Sequence, residues 1–245
     1  MPEIEGAGVA LHYTERGSGR PLLLIHGLAS DGQAWATEAG ALAAAGFRAI
    51  GYDRRGYGES GAPEVYAATT VQEQAEDAAA VLGRLGAAPA LLVGDGFGAL
   101  VALELLVRCP VLATGAVLSD LPLFAFVPAA TEALAAERAM LEDALRGGGR
   151  AAAVRAWLGA GGRDAPARAG SWQRGFFADY AGQASWSPTR RELRNVGVPV
   201  AVVTSASSPA HVVAAADAAA ALVPDAVRAV DGDVVGAAVA LASSG

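Results

Sequence analysis

The sequence predicts an α/β fold, built on a mostly parallel β-sheet with helices on both faces. Short apolar segments alternate with longer helical patterns along most of the 245-residue chain, which is typical of repeated strand–helix units. Several of these segments, such as "PLLLIHG" at 21–27, are apolar at nearly every position, as strands buried on both faces are. Glycine follows the helical pattern at 33–45, where Gly46 ends it.

The remaining elements follow from the same periodicities. Strands are predicted at 8–17, 21–27, 47–53, 90–94, 115–120, 198–204 and 226–230. The first of them alternates polar and apolar residues, which favours an antiparallel strand. Helices are predicted at 33–45, 69–85 (with Thr69 or Thr70 as N-cap), 97–108, 210–222 and 234–242. The alternation implies a mostly parallel sheet, because parallel strands need a crossover connection between them.

One long segment, 122–190, interrupts this alternation because it contains no strand pattern. It holds helical patterns at 129–146 and 150–158, separated by a glycine run. We interpret it as a helical lid whose apolar underside faces a cavity; the alternative is a helical excursion with a small core of its own. The expected domains are therefore a core formed by 1–121 and 191–245, with 122–190 as the lid.

Composition and charge exclude several classes of partner. The chain is 53% hydrophobic, has a net charge of −7 and contains no lysine, so nucleic acid and anionic membranes are not expected partners. The longest apolar stretch is interrupted by Asp95, Glu104 and Arg108, which argues against a membrane span. The expected partner is a small-molecule ligand, and a homodimer or a biosynthetic partner protein is also compatible with the sequence.

Cysteine and histidine usage indicates neither a disulfide nor a metal site. The single cysteine, Cys109, cannot form an internal disulfide, and the N-terminus lacks a secretion signal pattern. We therefore expect a cytoplasmic protein. No cluster of histidine and cysteine suggests a metal site, and no cofactor is expected.

Three glycine-rich motifs follow predicted strands. They are "LLLIHGLAS" at 22–30, "GYDRRGYGES" at 51–60 and "LLVGDGFGAL" at 91–100. In this order and at these intervals they resemble the α/β-hydrolase fold superfamily. The second motif is most similar to that of the cofactor-free bacterial esterases, perhydrolases and non-haem haloperoxidases. The resemblance is close over 8–120 and looser over 196–242, and it implies a sheet of about eight strands.

The resemblance implies a sharp G-x-S-x-G turn whose serine is the nucleophile. Here Gly94 and Gly98 occupy the small flanking positions, and Gly96 occupies the position of the nucleophile. Glycine has no side chain that could attack a substrate. Two explanations are open: glycine leaves room for a ligand above the turn, or it relieves strain in a turn that has no remaining task.

The other two positions of the implied triad also lack the expected residues. The acid position falls in "TSASSPAH" at 204–211, where Ser207 or Ser208 stands. The histidine position after the last strand is occupied by Val234 or a neighbour, because the three histidines are His12, His26 and His211. Without an imidazole, hydrolysis of the serine type has no general base. The sequence thus predicts a member of the superfamily without the catalytic triad.

The resemblance still implies an oxyanion hole. Its donors would be the backbone N–H groups of Leu28, after His26 and Gly27, and of Phe97. Such donors bind a carbonyl oxygen or a carboxylate, with or without subsequent chemistry. The residues expected to contact a ligand are His26, Gly27, Leu28, Trp35, Gly96, Phe97, Phe124, Trp157 and Trp186.

The leading hypothesis is therefore a pocket that binds a small apolar carbonyl compound without ordinary ester hydrolysis. A second hypothesis is a lyase or isomerase in which Asp95 or Asp120 moves a proton. A third is a hydrolase with a shifted register, in which Asp95 is the nucleophile. The least favoured is a dinucleotide-binding protein, because Gly94-x-Gly96-x-x-Ala99 also matches that fingerprint, although Asp120 lies 26 residues after Gly94.

Overall fold

The structure, a computed structural model that describes residues 2–243, contains one eight-stranded sheet in the order β1-β2-β4-β3-β5-β6-β7-β8. From β3 onward, neighbouring strands run parallel, whereas β1 and β2 are antiparallel additions at one edge. The strands are β1 (Glu3–Glu5), β2 (Ala10–Arg16), β3 (Arg20–Ile25), β4 (Phe47–Tyr52), β5 (Ala90–Asp95), β6 (Ala113–Ser119), β7 (Val200–Thr204) and β8 (Val227–Val230).

Eight α-helices accompany the sheet in the described residues. They are α1 (Ala36–Ala44), α2 (Val71–Arg84), α3 (Phe97–Arg108), α4 (Ala130–Ala160), α5 (Gln173–Ser185), α6 (Arg190–Arg194), α7 (Ala210–Leu222) and α8 (Val234–Ser243). A short 3₁₀ turn, Gly32–Trp35, precedes α1. The predicted α/β class and mostly parallel sheet are confirmed. The one strand absent from the prediction is β1, whose two exposed glutamates give no apolar signal.

The core consists of two apolar layers, one on each face of the sheet. Successive residues of a strand point to opposite faces, so Leu23 and Ile25 of β3 join one layer while Leu22 and Leu24 join the other. The first layer lies under α2, α3 and the helices that follow β6. The second lies under α1 and α8. Both faces of the central strands are thus covered, which explains their continuous apolar sequences.

Between β6 and β7 the described chain is helical and contains no strand. The predicted break in its first helix is present, because Gly149 within α4 has φ 73° and ψ −169°. Helix α5 was not predicted; it is buried at several positions, including Phe176 and Asp179, and therefore lacks a clear polar face. In the described part of the chain, no helix is both long and apolar enough to cross a membrane.

Candidate functional site

The turn between β5 and α3 has the geometry of a sharp strand-to-helix elbow with Gly96 at its tip. Gly96 has φ 51° and ψ −118°, a conformation that strains residues with a side chain. Its N–H donates to the Ser119 carbonyl oxygen at 2.9 Å, which ties the tip to β6. A Cβ atom added to Gly96 would meet only the Gly27 Cα, at 3.9 Å. The space above the tip is therefore open.

The two flanking glycines fix the register of this turn. A Cβ atom on Gly94 would lie 2.3 Å from the Gly98 carbonyl oxygen, and one on Gly98 would lie 2.1 Å from the Ile25 carbonyl oxygen. Neither position accepts a side chain, because β3, β5 and α3 approach each other too closely there. The shifted register, with Asp95 at the tip, is therefore wrong: Asp95 is the last residue of β5.

The peptide between Gly27 and Leu28 is held in one orientation from the protein interior. The Gly27 carbonyl oxygen accepts from the Arg54 guanidinium at 3.0 Å and from His26 Nδ1 at 2.9 Å. In a trans peptide the N–H points opposite to the carbonyl. The Leu28 N–H therefore points away from these buried groups, and no acceptor for it is found among the described residues.

The peptide between Gly96 and Phe97 is oriented in the same way. The Gly96 carbonyl oxygen points into α3, where it accepts from Ala99 N at 3.0 Å and from Leu100 N at 3.4 Å. The Phe97 N–H consequently points out of the helix N-terminus, where amide donors favour negative charge. The Phe97 N–H therefore has no hydrogen-bond acceptor within α3.

The side chain of His26 is buried beneath the site and does not lie on its surface. The side chain is 1% exposed; Nδ1 donates to the Gly27 carbonyl and Nε2 accepts from Arg54 N at 3.0 Å. Burial, and then the neighbouring Arg54 charge, lower the pKa of His26 well below its usual value. The expected ligand contact through this side chain is therefore wrong, because both ring nitrogens are already engaged.

Arg54 holds this region together and was not singled out by the sequence reasoning, although it lies in the second motif. It is fully buried and forms an ion pair with Asp179 of α5 at 2.7 Å. It also donates to the His26 and Gly27 carbonyls at 2.9 and 3.0 Å. One arginine thereby joins the loop after β3 to the helical insertion.

Two carboxylates lie beside the elbow. A Cβ atom on Gly27 would lie 2.9 Å from Asp95 Oδ2, which places this carboxylate against the loop after β3. Burial first, and the charge of Asp120 second, raise the pKa of Asp95 from 3.8 to about 6, against the opposing effects of Arg163 and of a Ser119 hydrogen bond. An acid with this pKa can both give and take a proton near neutral pH.

The second carboxylate, Asp120, follows β6 with φ 45°. It accepts a 2.5 Å hydrogen bond from the Ser208 hydroxyl. Arg163, in the loop after α4, lies within the electrostatic reach of Asp95 and Asp120. Its guanidinium stacks over Trp157 at 4.5 Å. No pattern in the sequence indicated Arg163, because the helical insertion alone brings it to this place.

The loop after β7 holds a cluster of serine hydroxyls at the position that the resemblance assigns to the acid. Ser205 Oγ lies 2.9 Å from Ser207 Oγ and 3.1 Å from Ser208 Oγ. Ser207 thus belongs to a local hydrogen-bonded turn, and Ser208 connects that turn to Asp120. The cluster carries no carboxylate of its own.

The loop after β8 is short. Only 231–233 separate β8 from α8, and Asp233 caps the helix by accepting from Val235 N at 3.1 Å and Gly236 N at 2.9 Å. Val234 is the first residue of α8 and packs against the second apolar layer. Its side chain is therefore partly buried against that layer and offers nothing to the elbow.

The aromatic residues expected to line a pocket are in three different places. Phe97 and Trp186 are buried in the first apolar layer, where Trp186 Nε1 donates to Glu104 Oε2 at 2.9 Å. Trp35 packs in the second layer. Phe97 and Trp186 are structural, which corrects the expectation, whereas Trp35 borders a separate cavity that does not include Gly96. Trp157 is half-buried beneath Arg163, and Phe124 is half-buried with its ring centroid 5.4 Å from that of His211.

The described residues contain no cluster of histidine, cysteine, aspartate and glutamate that could hold a metal ion. The arrangement beside Gly96 therefore consists of two outward-pointing amides, two carboxylates and one arginine. Such a set can hydrogen-bond a carbonyl oxygen and exchange a proton with a ligand.

Comparison with known proteins agrees with this architecture. A family model described as the alpha/beta hydrolase fold matches residues 20–141. An epoxide hydrolase of Caballeronia sordidicola is 38% identical over 97 residues, which are 40% of this chain and 30% of that protein. A protein of Mycobacterium tuberculosis described as a candidate non-heme bromoperoxidase, BpoC, is 38% identical over 111 residues, which are 45% of this chain and 41% of that protein. The matches thus span less than half of these relatives.

A solved structure extends the likeness to the whole chain. The esterase of Thermogutta terrifontis superposes with a TM-score of 0.73 at 22% identity, covering 100% of this chain and 95% of that one. At this identity the likeness concerns the fold. Taken with the family model, the sheet order and the glycine-flanked elbow, it leads to one conclusion: the chain belongs to the α/β-hydrolase fold superfamily.

Proposed function

We propose that this protein binds a small apolar carbonyl compound at the elbow and does not carry out ordinary ester hydrolysis. The observation that carries the proposal is the open tip at Gly96, with φ 51° and no side chain, between the outward-pointing N–H groups of Leu28 and Phe97. A carbonyl oxygen placed between these amides would accept two hydrogen bonds from preorganised donors.

The surroundings of the elbow support binding without a serine-type reaction. His26 has both ring nitrogens engaged in the interior. The loop after β8 contains no histidine, and Val234 packs against the second apolar layer. Hydrolysis of the serine type needs a nucleophile and a base that takes and returns its proton. On this proposal the chain is a member of the superfamily that lacks the triad.

The first experiment measures turnover of a panel of activated small esters by the wild-type protein and by Gly96→Ser. We expect neither protein to exceed the buffer rate, because the new hydroxyl would have no base. Saturable turnover by the wild type would contradict the proposal. Repeating the measurement with Asp95→Asn would then show whether this carboxylate carries the reaction.

The second experiment tests binding directly. Native mass spectrometry of the purified protein is expected to show a bound small molecule that Gly96→Trp removes, because the indole would fill the space above the tip. The matched control is Gly83→Trp, since Gly83 lies on α2 with open space around it. Circular dichroism verifies that both variants fold. A molecule retained in Gly96→Trp would overturn the elbow as its site.

A second candidate function, proton transfer in a lyase or isomerase, is favoured by one observation. The pKa of Asp95 is raised to about 6 beside Asp120 and Arg163, and raised carboxyl pKa values are common at catalytic sites. This function predicts solvent deuterium exchange into a bound carbonyl compound that Asp95→Asn abolishes. The same exchange in both proteins would exclude Asp95 as the base.

The dinucleotide alternative has less support. The motif starts at Gly94 on β5, in the middle of an eight-stranded sheet whose first two strands are antiparallel. The Asp120 carboxylate, which would have to bind a ribose, accepts from Ser208 instead. An unchanged melting temperature on addition of NAD would remove this candidate.

A further inference from the structure

A cavity lies away from the elbow, between the β2–β4 pair and the start of α1. It has a volume of about 410 Å³, which is within the range of small-molecule sites. Its wall includes the polar side chains of His12, Thr14 and Arg16 from β2, and its apolar part includes Leu24, Trp35 and Ala39. Neither Gly96 nor the two amides of the elbow contribute to it.

His12 is held in one orientation at this cavity by Asp53. Its Nδ1 lies 3.0 Å from Asp53 Oδ2. The same carboxylate accepts from Gly32 N at 2.7 Å and from Glu59 N at 2.9 Å. Oδ2 already accepts from the Glu59 N–H, so Nδ1 is assigned as the donor of its contact with Oδ2. Nε2 then remains for another group, and the described residues provide no partner for it.

The indole of Trp35 supplies a second unused polar group in the wall. Trp35 is 7% exposed, and its Nε1 is buried without a hydrogen-bond partner in the described part of the chain. A buried donor without a partner destabilises the fold. An acceptor placed in the adjoining cavity would remove this penalty after a small movement of the indole.

The charges around the cavity favour an anion. Asp53 accepts hydrogen bonds from three donors, and Glu15 pairs with Arg48 at 2.8 Å. Arg16 has no ion-pair partner among the described residues; its guanidinium donates only to the Ala36 carbonyl oxygen, at 3.3 Å. The Arg16 guanidinium therefore lies at the mouth of the cavity as a positive charge with N–H donors that are not hydrogen-bonded. The apolar part of the cavity wall lies beneath it.

We infer that this cavity is a binding site for a small monocarboxylic acid with a flat apolar body, separate from the elbow. The apolar body lies against Leu24, Trp35 and Ala39. The carboxylate lies between the Arg16 guanidinium and His12 Nε2, and Nε2 takes up one proton from solution when the carboxylate binds. The bond is thus charge-assisted on both sides, which strengthens it relative to a neutral hydrogen bond.

The experiment uses benzoate as the probe and histidine nitrogen NMR as the readout. The chain has three histidines, and the ring signals of His12 are identified by their absence from the spectrum of His12→Gln. We expect saturable shifts of the His12 ring nitrogens, whereas those of His26, which is 1% exposed, stay in place. Arg16→Gln, an exposed substitution, should weaken binding about tenfold, which corresponds to about 1.4 kcal/mol.

Two further variants separate this site from the elbow. Ala36→Phe narrows the mouth of the cavity and should abolish the His12 shifts, whereas Gly96→Trp fills the elbow and should leave them unchanged. Shifts that persist in Ala36→Phe, or that disappear in Gly96→Trp, would overturn the inference. An absence of any saturable shift in the wild type would overturn it as well. Failure of the elbow proposal leaves this result unaffected, because the two sites share no lining residue.

Discussion

Replacing Asp95 by asparagine tests the environment that the structure assigns to this carboxylate. Burial and the charge of Asp120 raise its pKa from 3.8 to about 6. Since the folded protein binds this proton more tightly than the unfolded chain does, the wild type loses stability as pH rises through about pH 4 to pH 6. Asparagine has the same shape and no charge, so this loss should disappear.

The magnitude follows from the size of the shift. A difference of about two pKa units, at about 1.4 kcal/mol per unit, corresponds to about 3 kcal/mol at pH 7. Asparagine also gives up part of the interaction with Arg163 and Ser119, so 3 kcal/mol is an upper bound on the gain. The expected result is an Asp95→Asn protein that is more stable than the wild type at pH 7 and nearly equal to it at pH 4.

Urea unfolding of both proteins from pH 4 to pH 8 measures this difference. Asp225→Asn is the matched control, because Asp225 is exposed and its φ of 54° suits asparagine. We expect the control to follow the wild type at every pH. Parallel loss of stability in the wild type and Asp95→Asn would refute the reasoning and show that Asp95 is solvated.

Two further substitutions test the framework of the site. Asp179→Ala leaves the fully buried Arg54 without its ion-pair partner and should destabilise the protein by about 3–5 kcal/mol in urea unfolding; a change below about 1 kcal/mol would mean that water replaces the pair. Gly98→Ala should destabilise far more than Gly96→Ala, because its Cβ meets the Ile25 carbonyl at 2.1 Å while the tip is open. Gly96→Ala should lower the free energy of unfolding by about 1–3 kcal/mol because of backbone strain. Equal melting temperatures of Gly98→Ala and Gly96→Ala would contradict the register of the elbow.

The sequence alone was sufficient for the fold and for the position of the elbow. Strands β3 and β5 are continuous apolar segments, and their burial follows from composition and period. Gly94, Gly96 and Gly98 identify the turn because a close backbone approach and a positive φ both require glycine. These features are local, so the order of residues along the chain is enough to predict them.

The roles of the surrounding side chains were decided only by tertiary packing. His26 was expected at the ligand, yet its ring meets Arg54, which is 28 residues away in sequence. Arg163 reaches Asp95 from the helical insertion, and His12 meets Asp53 across 41 residues. Whether a polar side chain faces a cavity or the interior depends on which distant segment covers it, and no periodicity along the chain encodes that contact.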